Sequence, residues 1–451
     1  SFSGPFAILF PELPGASQFT RRQTGTLALH SLLSPRITNT GRFGFKIEPF
    51  RRSYPRAEVL PFRVSFAGGI TNPENLADGY FNDSPSKEVN DTVFIARGRH
   101  SISLGGEARF IRGRNISETG IIQRVNLGAT ALNPSGVDAT EMPASTAAVR
   151  ASAEALYANL VGLVSNATQT FNVVSPSSGL VAQPFERHVK QRLVALHATD
   201  RWRTTPRLTL TAGLRWEYQG VPFYAKGAAL FPVGGVNGLW GPSGSGNLFA
   251  PGRLSGSATT LDFGGVEGKP PLYSRDGNNF APSMGLAWDV FGNGRTSLRA
   301  GYAVSYTLEA LTLYTNAADQ NRGLQVTSTN STYTGVLPAN GVPLTVPQFQ
   351  VPVSQQALFA LSNTANVAAF NPNLRTPYVQ QWSLGVERAL WWGVVAEARY
   401  VANHGVKLIG GVDLNEVNIV ENGFLADFQR AAANLGINRA AGVISFANLG
   451  R

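Results

Sequence analysis

Apolar and polar residues alternate with a period of two in five stretches of the chain. Each stretch is an alternating run, a short polar turn and a second alternating run. In 207–218, Leu208, Leu210, Ala212, Leu214, Trp216 and Tyr218 fall on one side. Arg207, Thr209, Thr211, Gly213, Arg215 and Glu217 fall on the other. The run 297–306 repeats this, with Leu298, Ala300, Tyr302, Val304 and Tyr306 opposing Ser297, Arg299, Gly301, Ala303 and Ser305. A side-chain period of two is that of a strand with one apolar and one polar face.

The five hairpins are read at about 24–48, 91–112, 187–219, 280–308 and 378–404. A soluble antiparallel sheet with one wet face also alternates, but three features favour a membrane wall. The runs span ~10–12 residues against ~5–6 in globular sheets. Aromatics flank the apolar face: Trp202, Trp288, Trp391 and Trp392 near the short turns, and Trp216, Tyr218, Tyr306, Tyr378 and Tyr400 toward the other end. Ten residues at ~3.3 Å, tilted by ~45°, rise about 23 Å, close to the apolar band of an outer-membrane barrel. The links between hairpins are long, at 49–90, 113–186, 220–279 and 309–377, and 405–451 is a further outer loop after the last hairpin. Short turns on one side and long loops on the other are the asymmetry of such barrels.

The expected fold is therefore all-β: an antiparallel transmembrane β-barrel wall of ten spanning strands with short periplasmic turns and long extracellular loops. The strand-like Phe62-Arg63-Val64-Ser65-Phe66 is placed in an outer loop. Glu107, Arg109, Arg215, Glu217, Arg299, Glu387, Glu397 and Arg399 are the expected lumen-lining residues. Two loop helices are expected, over 143–166, with an apolar stripe of Leu156, Leu160 and Leu163, and over 423–435. Pro143 is expected in the first turn of the former.

Composition changes this picture little. No apolar run approaches the ~20 residues of a membrane helix, which leaves a barrel untouched. The 451 residues include no Cys, which excludes disulfides and Cys-based metal or redox sites. The net charge is +10, but Lys and Arg are scattered singly along strands and turns, so no nucleic-acid partner is expected. His30, His100, His188, His197 and His404 lack metal-ligand spacing, and no G-x-S-x-G elbow is present. No catalytic residue, metal or cofactor is expected. The Gly-rich 241–247 lacks the Gly-Lys-Ser/Thr of a phosphate loop and reads as a flexible loop.

Several segments resemble TonB-dependent receptors of the outer membrane. RWRTTPRLTLTAGLRWEY (201–218) is similar to their W-x-x-x-P-R-L-T-L-x-x-G-L-R-Y-E segment. Gly98-Arg99-His100 with SISLGGEARF is similar to their G-K/R-H-x-L-x-x-G-x-E hairpin. NFAPSMGLAWDVFGNGRTSLRAGY (279–302) matches a third motif. NPNLRTPYVQQWSLGVER (371–388) and AEARYVANHGVKL (396–408) resemble the Oar-like branch, which carries a carboxypeptidase-regulatory-like domain. The resemblance implies a 22-stranded barrel closed by a plug, with TonB pulling on an N-terminal region to admit a large nutrient of unknown identity. Plug and TonB box are not recognised in these residues, and ten strands are too few for such a barrel. The expectation is a barrel fragment in contact with outer-membrane lipid. The alternatives are a structural or adhesive surface barrel and, more weakly, a barrel-type hydrolase.

Overall fold

The computed structural model describes residues 17–54, 61–72, 76–244, 255–361, 366–413 and 423–443. Ten long strands form its wall: β1 (Gln23–Ser34), β2 (Ile37–Ile47), β3 (Ser86–Arg97), β4 (His100–Ser117), β5 (Phe185–Thr205), β6 (Leu208–Gln219), β7 (Asn279–Asp289), β8 (Thr296–Tyr306), β9 (Tyr378–Ala389) and β10 (Val395–Val406). Each pairs antiparallel with the next in sequence, so the wall is an up-and-down meander. The sheet is 14-stranded in all. Ser17–Thr20, Phe50–Ser53 and Tyr80–Asp83 extend it beside the far end of β4, and Phe223–Lys226 pairs with β5. The wall strands thus run past the expected hairpin limits: β3 begins before 91, β4 continues beyond 112 and β5 starts at Phe185.

The short turns are built for tight reversal. Gly98, between β3 and β4, adopts φ 61°, a left-handed conformation that glycine enters without steric cost. The β9–β10 turn places Trp392 at φ 56° and Gly393 at φ 73°. Trp392 is 92% exposed there.

Register fixes the two faces. Along one, Leu29 of β1, Phe43 of β2, Val89 of β3, Ala108 of β4, Val194 of β5 and Tyr218 of β6 lie on the same side. Leu214, Met284, Leu298 and Leu384 continue it. This apolar face is open: Leu27 is 72% exposed and Met284 64%. Exposed apolar patches of a few hundred Å² are already large for a soluble monomer.

The buried core sits instead among the long connections, which are folded. Arg63–Ser65, Arg124–Leu127, Val164–Val173, Leu180–Val181 and Gln325–Asn330 form a five-stranded sheet. Leu230–Pro232, Thr260–Phe263 and Val353–Ser354 form a three-stranded one. Phe62, Val64, Val125 and Val164 pack in one cluster, and Phe171, Val173, Leu230 and Leu261 in another. Arg63–Ser65 pairs parallel with Arg124–Leu127, so that segment belongs to this loop layer.

The α-helices among the described residues are α1 (Ala147–Val161), α2 (Leu311–Gln320), α3 (Gln356–Leu361) and α4 (Phe424–Ala440). The 143–166 expectation is corrected. Thr146, not Pro143, starts α1, its hydroxyl accepting from the Val149 amide at 3.3 Å. Gly162 ends it in the left-handed region, and 164–166 are strand. Only part of the expected stripe is buried: Leu163, just past the helix end, is buried, but Leu160 is 78% exposed and Leu156 half-exposed, and the helix buries Ala158 instead. The helix is tied down by Asn159, whose amide bonds both backbone groups of Ala67. α4 extends five residues past 435. Of the Gly-rich 241–247, residues 245–247 lie outside the described residues, as do 414–422 and 444–451 of the last loop.

Candidate functional site: the polar face and the loop layer above it

Opposite the apolar face runs a continuous polar one. Its side chains include Thr40 and Arg42 of β2, Glu88 and Asn90 of β3, Glu107 and Arg109 of β4, Arg215 and Glu217 of β6, and Ser283 of β7. Arg299 of β8, Glu387 of β9, and Glu397 and Arg399 of β10 extend it.

Two charged ladders cross this face. Arg109 Nη2 meets Glu88 at 2.7 Å and Glu107 at 3.2 Å. Glu107 accepts from Arg215 Nη2 at 3.1 Å, and Arg215 Nε donates to Glu217 at 2.5 Å. Five charges thus alternate in sign over β3, β4 and β6. The intervening β5 offers only Ala195 beside Glu107 and Glu217, which lets the arginine reach across. The second ladder holds Arg299 3.8 Å from Glu387, with Arg399 and Glu397 paired at 2.5 Å. These four line a 340 Å³ hollow with Ser297, Ser383 and Gly385. All eight residues singled out in the sequence therefore lie on one face, four in each ladder. Glu88 was missed, because its alternation with Val89 does not reveal its partner Arg109 on the next strand.

Glycine shapes the face where a side chain must lie flat. A Cβ on Gly105 would stand 2.5 Å from the His197 ring and 2.6 Å from the Asp91 carbonyl. Gly105 and His197 are cross-strand partners, so the absent side chain makes room for the imidazole.

At the outer end the loop layer folds onto this same face. Arg187, Val189 and Gln191 of β5 share the side of Glu107 and Arg109 and are buried. Val189 packs with Tyr224 and Ala318 of α2, and Arg187 is ion-paired with Asp319 of α2. Burial pushes the Tyr224 hydroxyl up to about 12. Asn279 at the start of β7 donates to Asp276 and Thr376 at 3.3 and 3.1 Å, and Asp276 accepts from the Thr376 amide at 2.9 Å. Two long connections are thereby pinned together above the polar face. Arg187, Gln191, Asp276 and Asn279 had no signal in the periodicity, since their partners are nearly a hundred or more residues away or reached through backbone atoms.

The aromatic residues fall at several heights. Trp391 and Trp392 sit in the β9–β10 turn with rings 6.2 Å apart, and Trp288 is the last residue but one of β7. Trp202 lies three residues inside β5, stacked on His100 at 5.5 Å, with His100 bonded to Asp200 at 2.6 Å. Trp216 and Tyr218 are near the far end of β6, and Tyr306 meets Tyr378 at 5.5 Å. Tyr400 differs: it lies in the middle of β10, opposite Leu384, not at a strand end.

A wall of sequentially paired strands, apolar and exposed on one side and polar on the other, defines an outer-membrane β-barrel protein. The chain belongs to the family described as outer membrane beta barrel domain, matching over residues 2–445. It resides in the outer membrane, with its apolar face toward lipid. No curated protein matches it by sequence. Among solved structures it is similar to the outer membrane transporter YddB from Escherichia coli, at 12% identity and TM-score 0.40, covering 86% of this chain and 34% of that one. It is also similar to the siderophore receptor PirA from Acinetobacter baumannii, at 13% identity and TM-score 0.36, covering 86% and 35%. A third is the copper transporter OprC, at 10% identity and TM-score 0.38, covering 86% and 39%. The chain thus spans little more than a third of the length of these structures.

Proposed function

We propose that this chain supplies part of the wall and outer loops of a TonB-dependent receptor that admits a large nutrient. The observation that carries the reading is the polar face, with its two charged ladders and the loop layer anchored over its outer end. Ion pairs on the side away from lipid are what the polar interior of an outer-membrane barrel presents. The motifs at 201–218 and 279–302 support the receptor family, and those at 371–388 and 396–408 support the Oar-like branch.

β1 and β10 each have one wall partner among the described residues. Unpaired strand edges are not tolerated in hydrocarbon, so further wall strands complete the barrel, and TonB acts on a plug elsewhere in the receptor. The test compares nutrient-limited growth of cells lacking this gene with cells lacking TonB. Loss of growth on the same nutrient in both supports the reading. A gene deletion that impairs no TonB-dependent uptake contradicts it. The second reading, a structural or adhesive surface barrel, is favoured by one observation: the exposed apolar residues Val149, Leu156 and Leu160 on α1. Loss of surface attachment with uptake intact is its signature.

A further inference from the structure

On the polar face Arg109, Arg215, Arg299 and Arg399 are matched to carboxylates, but one group of cations on the opposite face is not. Lys87 of β3, Arg112 of β4, and Lys190 and Arg192 of β5 stand together on the outward side of the wall. Phe110 pairs with Lys87 on one strand and Arg192 on the other. One step farther along the same side, Arg112 directly opposes Lys190. Lys87, Arg112 and Arg192 are exposed and Lys190 is partly so.

Like charges in a cross-strand pair repel, and none of the four is ion-paired among the described residues. The nearby carboxylate on this side, Glu186, is already shared by Arg114, His188 and Lys226. Glu88, next to Lys87, points to the opposite face and binds Arg109.

The position is as telling as the charge. Val89, Phe110 and Val194, each exposed and apolar, lie immediately beside these cations on the same side. The four therefore stand where the apolar band ends and the loop layer begins. That is the height of lipid headgroups. We propose that Lys87, Arg112, Lys190 and Arg192 bind the phosphate groups of a phosphorylated outer-leaflet lipid whose acyl chains lie on Phe110, Val89 and Val194. Phosphate oxygens accept paired donors from a guanidinium, and ammonium groups add point charge. A bridging anion also relieves the Arg112–Lys190 opposition. The inference rests on the long loops facing outward.

The test uses the protein extracted from outer membranes in detergent, with lipid retention read by native mass spectrometry. The probes are bisphosphorylated lipid A, its fully dephosphorylated form and inorganic phosphate. The wild type is expected to retain the bisphosphorylated lipid, and Arg112→Gln with Lys190→Gln to retain it about tenfold less. Arg112→Lys with Lys190→Arg, which keeps both charges, is expected to restore retention and guards against misfolding. Equal retention of dephosphorylated lipid, or undiminished retention by the glutamine variant, overturns the proposal. So does displacement of the lipid by equimolar inorganic phosphate, which marks a generic anion site. Orientation is read separately: Lys87→Cys is expected to react with an impermeant maleimide on intact cells. No labelling there overturns the outward placement even where lipid retention follows the expected pattern.

Discussion

Glu186 illustrates how single residues set the chemistry of this chain. Burial alone raises its carboxyl, but hydrogen bonds from Lys226, His188 and Arg114 outweigh burial and hold it at about 2, against an ordinary 4.5. A depressed carboxyl contributes stability that is complete above the unfolded value of 4.5 and is lost as pH falls toward 2. Glu186→Gln is therefore expected to flatten the loss of stability between about pH 5 and about pH 2, read from urea unfolding in lipid vesicles. Glu107 joins two arginines, so Glu107→Gln is expected to cost about 1 kcal/mol after solvent screening, by the same assay. At this scale alternation revealed which charged residues share a face. It did not reveal Glu88 as a ladder member, nor the buried Arg187 and Asn279, because pairing across strands and between distant loops leaves no local periodicity.

Strands were more legible than the connections between them. The period of two survives in β6 and β8 because lipid on one side and water on the other leave each position a single acceptable polarity. The face assignment predicts opposite outcomes on β9. Leu384→Arg, on the apolar face, is expected to cost roughly 2–4 kcal/mol of folding stability in vesicles. Gln381→Arg, on the polar face of the same strand, is expected to change it by less than about 0.5 kcal/mol. Equal costs contradict the assignment. The loop layer was illegible because its cores are assembled from short strands far apart in sequence, such as Arg124–Leu127 beside Arg63–Ser65. For α1, Leu spacing gave an apolar stripe, of which only Leu163 is buried; Asn159 and Ala158 are the helix residues that face the fold, a choice made by tertiary contacts. Asp276→Ala is expected to unpin two connections, giving faster proteolysis within 255–279 and 366–377 with the wall intact.

At the scale of the whole molecule, two faces of one meander meet two solvents. The chain has no cysteine, so each introduced thiol is the sole reporter. Single cysteines at 208–217, in protein assembled in outer membranes, provide the most direct measurement. A water-soluble thiol reagent is expected to modify positions 209, 211, 213, 215 and 217. Positions 208, 210, 212, 214 and 216 are expected to resist it and to be quenched by lipid-borne probes when labelled in the unfolded state. Uniform reactivity along β6, or reactivity on the even positions, would contradict the account.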